Sequence, residues 1–143
     1  MSILEIIDGT GHIMGRLATY VAKQALNGEE MVIVNAENIV VTGTRENILA
    51  DYHHRRNLGV RGRNRKGPYY PRMPDRMFRR SVRGMIPYQE PRGRDAYRRV
   101  MAYIGVPKEL EGKEFMKLEN ALERGARSKL SLGEISKNLG AKF

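Results

Sequence analysis

Ile3-Leu4-Glu5-Ile6-Ile7, followed at once by Asp8-Gly9-Thr10-Gly11, decides the reading of the fold. The first five residues suit a buried strand, and the next four turn the chain. Met14, Leu17, Ala18, Val21, Ala22 and Ala25 then recur at the i, i+3, i+4, i+7 spacing of one helical face, with Gly28 a stop just past Asn27. Met31-Val32-Ile33-Val34 is a second strand and Ile39-Val40-Val41 a third. The four residues between them are too few for a parallel crossover between neighbours. These two strands are therefore antiparallel partners or not adjacent. Strand, helix, strand in this order is α/β.

Working outward, Thr44 can cap a helix with Ile48, Leu49 and Tyr52 on its apolar side, and Val100-Met101-Ala102-Tyr103-Ile104 reads as a fourth strand before Gly105. Phe115, Leu118 and Leu122 lie at helical spacing. Ser131 and Glu134 form a capping-box pattern ahead of Ile135 and Leu139, with Gly140 placed to stop that helix.

The charge is not spread evenly. The 143 residues carry a net +10, and 18 of the 26 basic residues are arginine. From 55 to 99, fourteen arginines and one lysine face only Asp75, Glu90 and Asp95, a net of +12, so the rest of the chain stands at −2. Arginine offers a flat five-donor fork that grips phosphate bidentately and stacks on bases, which lysine does not. A nearly neutral domain holding one dense cationic segment implies a polyanionic partner, nucleic acid before any other. There are no cysteines, which excludes disulfides, thiolate metal sites and a thiol nucleophile. The opening residues do not resemble a signal peptide, and no apolar run approaches the ~20 residues of a membrane span. The expected location is the cytoplasm.

Within the basic segment, residues 61–74 are too rich in glycine and proline for a regular element. They read as an irregular cationic loop in which Tyr69 and Tyr70 could stack on unpaired bases. Asp75 is placed to cap a helix running to Ile86, before Pro87. On that helix Arg76, Arg79, Arg80 and Arg83 share one face, while Phe78, Val82, Met85 and Ile86 share the opposite one. Four like charges so stacked repel, by a few tenths of a kcal/mol per i,i+4 pair. An apolar side docked on the domain and an arginine side on phosphate would explain the pattern. Changing the four arginines together to Gln is expected to leave the fold intact. Arg92, Arg94 and Arg98 follow on a short helix, where Glu90 and Asp95 can pair with some of them.

Gly9-Thr10-Gly11-His12-Ile13-Met14-Gly15 lies between strand and helix as a dinucleotide-binding turn would, with Glu37 where a ribose-binding acid belongs. The spacing is G-x-G-x-x-x-G, however, and no second half for a dinucleotide follows. Tight turning and close helix packing explain these glycines better. His12 is expected to be a turn residue or a phosphate neighbour. His53 and His54 are consecutive and, on a helix, point about 100° apart, so they cannot chelate one metal together. No catalytic constellation, metal site or cofactor is expected.

The segments 7–18, Val34-Asn35-Ala36-Glu37-Asn38-Ile39 with Thr42-Gly43, and Arg83-Gly84-Met85-Ile86-Pro87 with Arg92-Gly93-Arg94 resemble, in the right order, the universal family of large ribosomal subunit protein 13. The Pro-Tyr-Tyr-Pro-Arg-Met-Pro stretch at 68–74 and the residues at 131–140 resemble the archaeal type. The resemblance implies a three-layer α/β/α fold around a small, mainly parallel or mixed four-stranded sheet with basic extensions. It also implies a role without catalysis: binding 23S rRNA in the large subunit, beside other ribosomal proteins, and taking part in early subunit assembly.

The expected organisation is one domain, 1–143. An Arg-rich rRNA-binding segment at 55–99 is inserted before the last strand, and 108–143 form a C-terminal helical extension. The expected contacts are Arg55, Arg56, Arg61, Arg63, Arg65, Lys66, Tyr69, Tyr70, Arg72, Arg76, Arg79, Arg80, Arg83, Gly84, Arg92 and Arg94. No membrane and no small-molecule substrate enter this reading. A free-standing regulatory RNA-binding protein is the alternative.

Overall fold

The computed structural model describes residues 4–58 and 68–143. Strand β1 (Leu4–Asp8) leads into helix α1 (Met14–Leu26), and β2 (Glu30–Val34) returns beside β1. The chain continues through β3 (Val40–Thr42), α2 (Arg45–Arg56), α3 (Pro74–Arg83), α4 (Pro91–Arg98), β4 (Val100–Ala102), β5 (Lys129–Ser131) and α5 (Leu132–Asn138). β1, β2 and β4 form a parallel sheet with β2 in the middle, Ile7 opposite Ile33 and Ile33 opposite Ala102. The α/β class is as expected.

The four expected strands divide between two sheets. β3 is not in the parallel sheet; it pairs antiparallel with β5, setting Val40 opposite Ser131. Of the two arrangements left open for β2 and β3, the chain adopts the non-adjacent one. A short 3-10 turn, Ala36–Asn38, redirects it, starting from Asn35 in the left-handed region at φ 54°. Asn35 Nδ2 donates to Asp8 Oδ1 at 3.1 Å, a local partner of the kind that lets Asn hold this conformation.

Register places Ile7, Met31, Ile33, Val100 and Ala102 on one face of the sheet, all buried. Against that face pack Leu17 and Val21 of α1, Phe78 and Val82 of α3, and Ala96 of α4. Each large side chain so buried contributes roughly 1.5–3 kcal/mol relative to exposure. Leu4 and Met101, on the opposite face, remain exposed.

Helix ends follow the expected capping at two sites. Thr44 Oγ1 accepts the Asn47 N–H, and Ser131 Oγ accepts the Glu134 N–H. α3 differs. Pro74 occupies its first turn and Met73 is the N-cap, so Asp75 sits inside the helix, where a carboxylate favours the positive end of the dipole without capping it. The helix ends at Arg83, and Met85 is exposed while Ile86 is buried.

The helical spacing of Phe115, Leu118 and Leu122 misleads. That stretch is mostly extended, with a 3-10 turn at Glu119–Ala121. The Met116 N–H donates to Ile6 O at 2.8 Å, and Met116 O accepts the Asp8 N–H at 3.1 Å, so backbone pairing along the outer edge of β1 overrides the local period.

Candidate nucleic-acid interface

The last turn of α2 holds His53, His54, Arg55 and Arg56, and the two arginines are cations placed where the helix dipole is negative. The segment 68–73 and α3 bring further arginines to this end of the molecule. Arg55 and Arg80 line a depression of about 240 Å³ with Met14, Tyr52, Tyr70 and Met77. Arg56, Arg72 and Arg76 line an adjoining cleft of about 580 Å³. Tyr70 and Pro71 border both, and among the described residues no acidic side chain lines either. Arg56 Nη1 donates to Tyr70 O at 2.8 Å, fixing the wall between them.

The arginine face of α3 is divided in its use. The Arg79 guanidinium lies 4.5 Å from the Tyr97 ring centroid, and its Nε donates to Val100 O at 3.0 Å. Arg83 lies 4.2 Å from the centroid of Tyr88, and Tyr88 meets Tyr97 edge to face at 5.5 Å. Two arginines at i and i+4 thus clasp a tyrosine pair, and each positive charge rests on the negative face of a ring. Arg80 stands 5.7 Å over Tyr70 and Arg55 5.3 Å over Tyr52. The repulsion that the sequence leaves to an outside anion is therefore partly relieved inside the molecule. Arg79 fastens α3 to β4, and Arg76 is exposed.

The remaining expected contacts are scattered. Arg92 Nε is paired with Glu90 at 2.7 Å, while Gly84 and Arg94 are exposed. Arg98 is 3.6 Å from Asp95, and Arg99 Nη1 donates to Ala25 O at 2.9 Å, tying the end of α4 to the end of α1. Arg61, Arg63, Arg65 and Lys66 lie outside the described residues.

Sequence reasoning missed Tyr88 and Tyr97, whose rings sit beneath arginines of another helix, and Lys142, which lines the larger cleft. Periodicity within one element carries no signal for the first two. Gly140, already marked as a helix stop, was the available hint for the third: at φ 94° it reverses the chain after α5.

The glycine turn is closed by the chain itself. A Cβ on Gly9 would stand 2.8 Å from Ile39 Cγ1 and 3.1 Å from Val34 O, so this glycine permits close approach. The Glu123 N–H donates to Gly11 O, and the Ile13 N–H donates to Ala121 O, both at 2.8 Å. Protein backbone covers the start of α1, where a pyrophosphate would sit. Glu37 Oε2 accepts the Gly105 N–H at 2.9 Å, a contact within the fold. His12 is fully buried, and its Nε2 accepts the Leu118 N–H at 2.9 Å. It is a core residue, neither an open turn residue nor a phosphate neighbour, and burial pushes its pKa down. Among the described residues no three metal-ligating side chains cluster, and no helix is long and apolar enough to cross a membrane.

Residues 4–109 match the family model described as Ribosomal protein L13. Three curated relatives carry the name large ribosomal subunit protein uL13. That of Archaeoglobus fulgidus is 48% identical over 138 residues, covering 94% of this chain and 86% of the relative. That of Methanosphaera stadtmanae is 46% identical over 142 residues, covering 99% and 100%. That of Methanocaldococcus jannaschii is 45% identical over 141 residues, covering 98% and 100%.

Proposed function

Since the chain belongs to the ribosomal protein L13 family, a family of ribosomal proteins and not of enzymes, we propose that it is a structural constituent of the large ribosomal subunit that binds and stabilises folded 23S rRNA and takes part in early subunit assembly. It acts as one domain in the cytoplasm, beside other large-subunit proteins, with 55–99 as its rRNA-binding segment and 108–143 packed into the same core through β5 and α5. The observation that carries this reading is the convergence of Arg55, Arg56, Arg72, Arg76 and Arg80 on two adjoining depressions without acidic lining. These side chains neutralise phosphate where rRNA helices pack closely. Arg83, Gly84, Arg92, Arg94, Tyr69 and Tyr70 are further rRNA contacts in this reading, as are Arg61, Arg63, Arg65 and Lys66, which lie outside the described residues. Arg79 is assigned to the fold instead, because its donor and its face are already engaged.

Contacts of this kind depend on backbone charge and shape, so log K falls by roughly 0.7–0.9 per phosphate for each unit rise in log salt. The test changes Arg76 and Arg80 together to Gln and follows the protein through a sucrose gradient. A folded variant that enters large subunits less well, with a shallower salt dependence, is the expected result. Unchanged incorporation with unchanged salt dependence rejects the reading. A wild-type protein that binds RNA but never sediments with the large subunit would point to a free-standing regulator.

A further inference from the structure

The larger cleft has a composition that a phosphate-neutralising surface does not require. Tyr69 is 83% exposed, and its ring has no aromatic or cationic partner among the described residues. The other aromatic rings of this region, Tyr52 and Tyr70, are covered by Arg55 and Arg80. An exposed tyrosine face costs contact with water and offers a flat apolar surface of the size of a base.

Around it, cations converge from three parts of the chain: Arg56 from α2, Arg72 and Arg76 from the start of α3 and the segment before it, and Lys142 from the residues after α5. Lys142 reaches this place because α5 is held and then reversed. His53 Nε2 and Asn138 Oδ1, 2.6 Å apart, join α2 to α5, and the Ala141 N–H returns to Ser136 O at 2.9 Å past the positive-φ Gly140. A Cβ on Gly140 would lie 3.8 Å from Arg72 Nη1, so the two segments stand side by side. The volume, about 580 Å³, falls within the roughly 300–1,000 Å³ of clefts that hold small ligands.

We propose that this cleft takes one unpaired nucleotide of RNA, its base stacked on Tyr69 and its flanking phosphates held by Arg72, Arg76 and Lys142. This rests on the RNA-binding reading above and deepens it. Duplex RNA keeps its bases stacked in the helix interior and has none to give, so the cleft distinguishes single-stranded from paired RNA. Tyr70 lines the cleft without serving as the platform, because Arg80 already covers its ring.

The test compares the full-length protein, at low ionic strength, on a seven-nucleotide oligouridine and on a perfectly paired RNA duplex. Affinity is measured directly, and tyrosine emission, which no tryptophan obscures in this chain, reports stacking. Tyr69→Ala is expected to weaken oligouridine binding roughly ten-fold and to remove most of the emission quenching, as loss of one stacked base does. Tyr69→Phe keeps the affinity for oligouridine although it too lacks the reporting phenol, and duplex affinity changes less than two-fold in either variant. Lys142→Gln is expected to lower the salt slope for oligouridine by roughly 0.7, one phosphate contact on a single strand. If the wild type binds RNA but Tyr69→Ala leaves oligouridine binding intact, or weakens both RNAs alike, the cleft proposal fails and the broader reading stands. If the wild type binds neither RNA, both fall.

Discussion

Gly93 and Gly84 both lie among arginines, and the structure separates them. A Cβ on Gly93 would stand 1.9 Å from Pro87 O and 2.3 Å from Pro87 C, backbone atoms that cannot swing aside. On Gly84 it would meet Ser81 O at an ordinary 3.6 Å. Gly93→Ala is therefore expected to lower the urea midpoint by an amount worth about 1–3 kcal/mol or more. Gly84→Ala should stay within roughly 0.5 kcal/mol, so a defect in subunit incorporation there would report contact with RNA. His12 makes a second prediction. Burial depresses its folded pKa below the ordinary 6.5, so the unfolded chain binds the proton more readily. Its contribution to stability is complete above pH 6.5 and is lost as pH falls from there through the folded pKa. Urea titrations between pH 7.5 and 5 should show this decline in the wild type, and His12→Gln should flatten it. A variant with an unchanged slope would place the pH dependence elsewhere.

α3 shows what one element reveals and what it hides. Its arginine periodicity was legible, and so were Phe78 and Val82 as its buried side, because the 3.6-residue period is written in the helix itself. That Arg79 lies on Tyr97 and bonds Val100 O was not legible, since those partners come from later elements. The same limit hid β5, whose three residues become a strand only through pairing with β3, and it turned Phe115–Leu122 into a false helix. The surviving capping signals at Thr44 and Ser131 are local, and local signals are what a sequence carries best. A consequence follows for mutagenesis. Arg79→Gln alone should cost about 1–3 kcal/mol in chemical denaturation, from the lost stacking and charged hydrogen bond. Gln at Arg76 and Arg80 should leave the midpoint nearly unchanged. Four simultaneous Gln substitutions would therefore confound unfolding with loss of binding, contrary to the expectation that the fold survives them.

Across the whole molecule, the +12 of residues 55–99 sits on a remainder of −2. Raising salt screens the arm's self-repulsion, so the free protein should gain a little stability with salt while losing affinity for RNA. Measuring both in one salt series would test the two opposite slopes together. The pairing of β3 with β5 also bears on how the chain is made. Thr42 meets Lys129, so the ribosome must polymerise almost ninety further residues before that edge finds its mate. At roughly 5–20 residues per second, this leaves a nascent strand unprotected for about 4–18 s. A newborn chain in that interval is the form most exposed to a protease or a chaperone.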